Sequence, residues 1–186
     1  MTTLSGADGY AVNAQYYDLI FPAAQRDGIR AALTTLLAHS TRVLEVGSGT
    51  GLFTQTIVAN LAPGGEMFAV EPAAVMRAAL TTRLTMLDDP PVTVIPESAL
   101  AAEIDGPLDG LVLLNVLTHF SPADRKALWN RWCPGCDRAE SSSRTCRRRR
   151  SQHRSPRQRS RDGRWAVAIT TRPPRRQWTA TVWCGR

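Results

Sequence analysis

The sequence has almost no lysine, and its first 132 residues contain no cysteine. Lys126 is the only lysine among 186 residues, and the four cysteines lie at positions 133, 136, 146 and 184. No basic segment followed by an apolar stretch opens the chain, and no hydrophobic run approaches the length of a membrane span. These absences argue against a secreted disulfide framework and against a membrane protein, so we expect a cytoplasmic protein.

Charge is distributed unevenly along the chain, whose net charge is +7. Residues 1–130 contain 7 basic and 13 acidic residues, whereas residues 131–186 contain 16 arginines and 3 acidic residues. The basic character therefore belongs to the last third, whose composition is typical of a disordered segment. We predict one domain over residues 1–131 and a basic low-complexity tail over residues 132–186.

The most informative segment is residues 43–54, where an apolar stretch with one carboxylate leads into three alternate glycines. Its pattern is E-x-G-x-G-x-G, formed by Glu45, Gly47, Gly49 and Gly51. The apolar residues predict a buried strand, and the glycines permit a turn whose backbone approaches a ligand closely. A helix start follows, so the segment predicts the first unit of a doubly wound α/β sheet. A nucleotide-binding turn of another α/β protein is the alternative interpretation.

This pattern resembles the first motif of the class I S-adenosylmethionine (SAM)-dependent methyltransferases, and the resemblance covers about residues 10–130. It implies a Rossmann-like sheet, SAM as cofactor and methyl transfer. SAM carries a sulfonium and an ammonium but no phosphate, so the Glu45 carboxylate near the turn favours SAM over a pyrophosphate, and Glu45 would hold its methionine end. Glu71, about 20 residues beyond Gly51 at the end of the predicted strand 67–70, would bind both ribose hydroxyls or be a solvated strand-end residue.

The resemblance also implies contacts to the adenine. Ser98 and Ala99, with Glu97 as the alternate, follow the predicted strand 92–95 and would lie against the adenine edge. Met76 would touch the adenine or belong to the core. A helix over about residues 25–39 and another from Leu52 to the Pro-Gly-Gly at 63–65 would pack on the sheet.

Three further residues complete the predicted site. Asn115 ends the predicted strand 111–114 and would stand beside the sulfonium. His119, one helical turn beyond, is either a proton acceptor for the substrate or a packed residue that steadies its loop. Tyr17, in an N-terminal Tyr-Asp segment, would cover the cofactor or anchor that segment to the sheet.

The methyltransferase pattern breaks near Trp132, so we predict that the sheet ends after its fourth strand and leaves an exposed edge. Three interpretations of the tail compete: an Arg-rich arm that binds nucleic acid, a metal site formed by Cys133, Cys136 and later ligands, and a shifted reading frame. Moving the frame by one base across residues 132–146 is compatible with L-V-P-G-L-R-P-G-G-I-V-V, which is a helix end, a turn and an apolar strand. We therefore predict a frame disruption near residues 129–132.

The sequence thus predicts SAM-dependent methyl transfer to a small-molecule acceptor, with no metal in the site. An RNA methyltransferase is the alternative if the basic tail is genuine, and nucleic acid is a partner only in that case. A truncated relic that binds SAM without turnover is the second alternative. Neither the acceptor nor the oligomeric state follows from the sequence.

Overall fold

The described strands form one sheet, and the glycine-rich turn follows one of its central strands. The computed structural model describes Tyr10, residues 12–133 and two strands at residues 165–172 and 177–184. The strands are β1 Ser40–Val46, β2 Leu61–Val70, β3 Val92–Ile95, β4 Gly110–Leu114, β5 Trp165–Arg172 and β6 Gln177–Cys184. Their order in the sheet is β3-β2-β1-β4-β5-β6, in which the first five strands are parallel and β6 is antiparallel to β5. The predicted doubly wound α/β arrangement is confirmed, with the strand order reversing beside β1.

Helices precede β1, lie between β1 and β2 and between β2 and β3, and follow β4. The described helices are α1 Ala23–Leu37, α2 Thr54–Val58, α3 Ala74–Leu84 and α4 Pro122–Trp132, and two 3-10 segments cover Ala14–Ile20 and Leu117–His119. Ser121 is the N-cap of α4, since its hydroxyl accepts a hydrogen bond from the Asp124 N–H at 3.2 Å. Among the described residues, none of the helices has both the length and the apolar character needed to cross a bilayer.

Alternate residues of the strands pack into two cores, one on each face of the sheet. Val43 of β1 packs with Ile29 and Leu33 of α1, whereas Leu44 and Val46 pack on the opposite face with Leu128 of α4. Successive side chains of a strand point to opposite faces, so Glu45 shares the face of Val43. This alternation directs the motif carboxylate toward the core beneath α1 and α2.

The connection between α2 and β2 differs from the prediction. Helix α2 is only five residues long, and β2 begins at Leu61, so that the Pro-Gly-Gly of residues 63–65 lies inside the strand. The pairing jumps from Ser40 opposite Leu61 to Arg42 opposite Glu66, and Gly64 has a φ of +76°. Gly64 therefore lies at an irregularity in the pairing of β1 with β2. Glycine suits this position because it accepts a positive φ readily.

Two strands extend the sheet beyond β4, in contrast to the predicted end after the fourth strand. β5 pairs with β4 over residues 165–169, and β6 pairs with the whole of β5. The sequences of both strands are rich in β-branched and aromatic residues, which favour strands. The arginine excess of the whole tail obscured these two local runs. Residues 134–164, 173–176 and 185–186 lie outside the described residues, and so do the predicted metal ligand Cys136, the Arg-rich run and the shifted segment.

Candidate functional site

Three strand ends meet at one edge of the sheet. β1 ends in the glycine turn, β2 ends before Glu71, and β4 ends before Asn115. The Gly47 and Ser48 N–H groups donate to the carbonyl oxygen of Val70, at 2.8 and 3.2 Å, and this fixes the turn against the end of β2. Ligands of doubly wound sheets bind at this edge, so these residues define the candidate site.

The three glycines of the turn have different surroundings, although all have positive φ. A Cβ on Gly47 would lie 2.6 Å from Val116 Cγ2, and one on Gly51 would lie 2.7 Å from Leu80 Cδ1. A Cβ on Gly49 would meet its nearest atom, Tyr17 Cε1, only at 3.7 Å. Gly47 and Gly51 therefore allow close packing within the protein, whereas Gly49 faces the site.

Glu71 holds the turn from the side of the site. One carboxylate oxygen accepts from the Gly49 N–H at 2.9 Å, and the other accepts from the Ala73 N–H at 2.8 Å. The Glu71 side chain is buried, and it lines a cavity between the turn and the N-terminal segment. Each carboxylate oxygen has a second lone pair, so Glu71 can still accept hydrogen bonds from a ligand.

Glu45 lies on the other side of the turn, within the core. Its carboxylate accepts a 2.6 Å hydrogen bond from the Thr54 hydroxyl at the start of α2. Burial raises the pKa of Glu45 from 4.5 to about 7, although hydrogen bonds from Thr54 and Ser48 partly oppose the rise and the Glu71 charge adds to it. Glu45 lines neither cavity described below. The structure therefore places this residue where it supports the turn from within the protein.

The described residues line two cavities at this edge. The small cavity, about 30 Å³, is lined by Tyr10, Tyr17, Gly47, Gly49, Glu71, Met76, Leu114, Asn115, Val116 and His119. The large cavity, about 280 Å³, is lined by Tyr10, Tyr17, Ile20, Phe21, Gln25, Asn115 and His119. Four residues, Tyr10, Tyr17, Asn115 and His119, line both cavities. These four residues lie between the glycines and Glu71 on one side and Ile20, Phe21 and Gln25 on the other.

The N-terminal segment covers the glycine turn. Tyr17 packs edge to face on Tyr10 and Phe21, with ring centroids 5.8 and 6.0 Å apart. The next residue, Asp18, accepts from the Thr50 hydroxyl at 2.5 Å and forms an ion pair with Arg83 of α3. Burial, with smaller contributions from Tyr10 and Glu71, raises the pKa of Tyr17 to about 12. Tyr17 thus lies over Gly49 as a neutral side chain.

The remaining predicted site residues fall into two groups. Asn115, which has a positive φ of 57°, and His119 line both cavities, and Met76 is 1% exposed yet lines the small cavity. Ser98 and Ala99 line neither cavity. The Ser98 carbonyl accepts from the Ala101 and Ala102 N–H groups, and the Ala99 carbonyl accepts from the Trp132 indole at 2.8 Å. These two residues therefore form a turn that packs under α4.

Sequence reasoning missed Tyr10 and Gln25. The Tyr10 hydroxyl lies 2.9 Å from His119 Nε2, across 109 residues of sequence. Gln25 lies in the first turn of α1, and its side chain reaches the large cavity. Neither belongs to a strand end or a motif, so no local pattern indicated them. The aromatic residue Tyr10, isolated in a polar segment, was the one available signal.

The chemistry of the small cavity fits SAM. One carboxylate and two glycines line it together with Met76, and no lysine or arginine lines it among the described residues. A volume of about 30 Å³ accommodates about one water molecule. SAM is far larger, so the small cavity must widen to admit the cofactor.

Comparison with known proteins identifies the class. Residues 43–137 match the family model described as a methyltransferase domain, which is half of the chain. The chain belongs to this methyltransferase family, and SAM is its methyl donor. No curated protein sequence matches the chain significantly.

Solved structures show the same fold. The DhpI complex with S-adenosylhomocysteine (SAH) is 18% identical, with a TM-score of 0.59, and the match covers 97% of this chain and 78% of DhpI. A second DhpI complex, with SAM and HEP, is 17% identical, with a TM-score of 0.57 over 99% and 84% of the two chains.

Proposed function

We propose that this methyltransferase transfers the SAM methyl group to a small-molecule acceptor. The observation that carries the proposal is the pair of cavities that share Tyr10, Tyr17, Asn115 and His119. A methyltransferase must hold a donor and an acceptor side by side, with the reacting atoms in contact. The small cavity would expand to hold the donor, and the large cavity would hold the acceptor.

On the donor side, Glu71 would accept hydrogen bonds from the ribose hydroxyls while it keeps the Gly49 N–H in place. Gly49 would permit close approach of the cofactor, and Asn115 would lie near the sulfonium. When bound, SAM supplies a methyl group from its sulfonium, and the remainder of the cofactor is the leaving group, a neutral thioether. Tyr17 would close over the cofactor and exclude water from the reacting atoms. Any contact of Ser98 or Ala99 with the adenine rests on the family resemblance alone.

On the acceptor side, His119 is the candidate general base. Its Nε2 lies 2.9 Å from the Tyr10 hydroxyl, so the nitrogen is within reach of a hydroxyl group at this position. An acceptor hydroxyl that replaced the Tyr10 hydroxyl would present its proton to the same nitrogen as its oxygen attacked the methyl carbon. Arg125 donates to the Leu117 and Phe120 carbonyls, at 2.9 and 3.0 Å, and this holds the 3-10 segment that carries His119.

The proposal is tested with SAM labelled in its methyl group and a cell extract divided into small-molecule and RNA fractions. We expect label in the small-molecule fraction. His119→Asn should lower this transfer by about a hundredfold, and SAM affinity is measured alongside because His119 also lines the small cavity. His39→Asn is the matched control, because His39 is exposed at the opposite end of β1 and has the positive φ that asparagine accepts.

The alternatives give different results in the same assay. Label in the RNA fraction alone would favour an RNA methyltransferase with a basic arm. SAM binding without transfer to either fraction would indicate an inactive relic. Full activity of the His119→Asn protein would contradict the role of His119 as the base.

A further inference from the structure

The large cavity has the size and walls of a site for a single-ring molecule. Its volume of about 280 Å³ lies just below the range of roughly 300–1,000 Å³ that is typical of small-molecule pockets. Tyr10, Tyr17 and Phe21 present aromatic rings, and Ile20 adds an aliphatic side chain. Aromatic rings bind flat apolar molecules by offset or edge-to-face packing. The walls therefore favour a compact aromatic ligand.

One polar atom of the large cavity lacks a partner. Gln25 Nε2 is buried, and it has no hydrogen-bond partner among the described residues. The Gln25 backbone is fixed, because its N–H donates to the Pro22 carbonyl at 2.9 Å in the first turn of α1. A buried amide donor without a partner is unfavourable, and a ligand that supplies an oxygen would satisfy it. Gln25 thus indicates a hydrogen-bond acceptor on the molecule that fills the cavity.

The walls of the large cavity carry no permanent charge. Its described lining residues include no Asp, Glu, Lys or Arg. Two nearby arginines bind elsewhere: Arg83 pairs with Asp18, and Arg125 donates to backbone carbonyls. An anionic ligand would lose its hydration without gaining a countercharge. The cavity therefore favours an uncharged ligand.

We infer that the methyl acceptor is a compact, uncharged phenol whose ring carries a hydrogen-bond-accepting oxygen, and that Gln25 recognises this oxygen. This inference rests on the proposed function, since it assigns the large cavity to the acceptor. The ring lies among Tyr10, Tyr17 and Phe21, the phenol hydroxyl faces His119, and Gln25 Nε2 donates to the ring's substituent. Gln25 is then a specificity-determining residue that acts on acceptor binding.

The test uses three probes that differ only in the substituent opposite the hydroxyl: para-hydroxyacetophenone, para-ethylphenol and para-hydroxybenzoate. Binding to the full chain is measured by titration calorimetry in the presence of SAH, so that no turnover occurs. We expect the ketone to bind more tightly than the ethyl compound, because only the ketone accepts a hydrogen bond. The anionic benzoate should bind most weakly.

Two variants examine Gln25 directly. Gln25→Leu should weaken binding of the ketone by about five- to tenfold and leave binding of para-ethylphenol unchanged. Gln25→Glu keeps the size but replaces the donor with a carboxylate, so it should weaken ketone binding more. Gln55→Leu is the matched control, since Gln55 Nε2 donates to the Arg83 carbonyl at 3.4 Å and Gln55 lines neither cavity.

Affinity for SAH, measured first with each protein, separates the two proposals. A chain that does not bind SAH contradicts the proposed function. A chain that binds SAH overturns only the present inference if it binds none of the probes, prefers the benzoate, or shows equal loss of both neutral probes in Gln25→Leu. A loss confined to the ketone supports the inference.

Discussion

The two sides of the glycine turn use the same residue type for different purposes. Below the turn, Glu45 lies in the core, and its hydrogen bond to Thr54 ties the end of β1 to the start of α2. Above the turn, Glu71 accepts from the Gly49 and Ala73 N–H groups and faces a cavity. Both carboxylates occupy acidic positions that the sequence pattern predicted for the site. The comparison shows that an acidic residue within a strand can support the turn from the core, whereas one just beyond a strand end can face a cavity.

The largest predicted effect concerns the lower side. The pKa of Glu45 is raised from 4.5 to about 7 in the folded protein. Between these values the folded protein binds more protons than the unfolded chain, so the free energy of unfolding falls as the pH rises through this window. The shift corresponds to about 3 kcal/mol. Glu45→Gln should remove this pH dependence. Denaturant unfolding at a series of pH values from about 4 to about 8, a range that spans both pKa values, measures the free energy of unfolding.

The same variant tests whether Glu45 contributes to SAM binding. Because Glu45 lines neither cavity, Glu45→Gln should leave the affinity for SAM within about threefold of the original, by titration calorimetry. A loss as large as that caused by changing Glu71 would show that both sides of the turn hold the ligand. A pH dependence of stability identical to that of the original protein would refute the buried-acid interpretation.

The next effect concerns the upper side. Glu71→Gln replaces one acceptor oxygen with an amide donor, which then opposes the Gly49 or Ala73 N–H and cannot accept from a ribose hydroxyl. We expect SAM affinity to fall by about ten- to thirtyfold, or roughly 2 kcal/mol. Glu103→Gln is the control, since Glu103 is exposed and lines neither cavity. Unchanged SAM affinity in Glu71→Gln would remove Glu71 from the cofactor site.

The smallest effect concerns the segment above Glu71. Asp18→Asn weakens the ion pair with Arg83, which is partly exposed and therefore contributes less than about 1 kcal/mol. Hydrogen exchange at residues 14–20 should become a few times faster, while global stability changes little. Asp27→Asn is the control, because the Asp27–Arg30 pair is exposed within α1. Equal hydrogen-exchange rates of residues 14–20 in both variants would indicate that Asp18 does not hold this segment over the glycine turn.

Much of the fold was predictable because its signals are local. The apolar strands, the Ser121 N-cap and the glycine turn depend on residues close in sequence, and the structure has each of them. The extent of β2 and the presence of β5 were not predicted. Both depend on pairing with distant strands, which outweighed the Pro-Gly-Gly in one case and the arginine-rich surroundings in the other.

The candidate site was predictable only in part. Residues that directly follow a strand, such as Glu71 and Asn115, could be placed, since the carboxyl ends of parallel strands share one edge. Ser98 and Ala99 also follow a strand, yet their carbonyls are used by the local turn and by Trp132. Proximity to a strand end therefore identifies candidates without giving the direction of each group.

The sequence by itself determined the family and the cofactor, because alternate glycines beside an acidic residue permit one kind of turn and favour one kind of ligand. Only the tertiary structure decided which acidic residue faces a cavity, since Glu45 lies within β1 in the core whereas Glu71 lies just beyond the end of β2. Tertiary structure also brought Tyr10 to His119, across 109 residues, and Gln25 to the large cavity. No local pattern encodes such contacts, because they form only when the N-terminal segment folds back over the sheet.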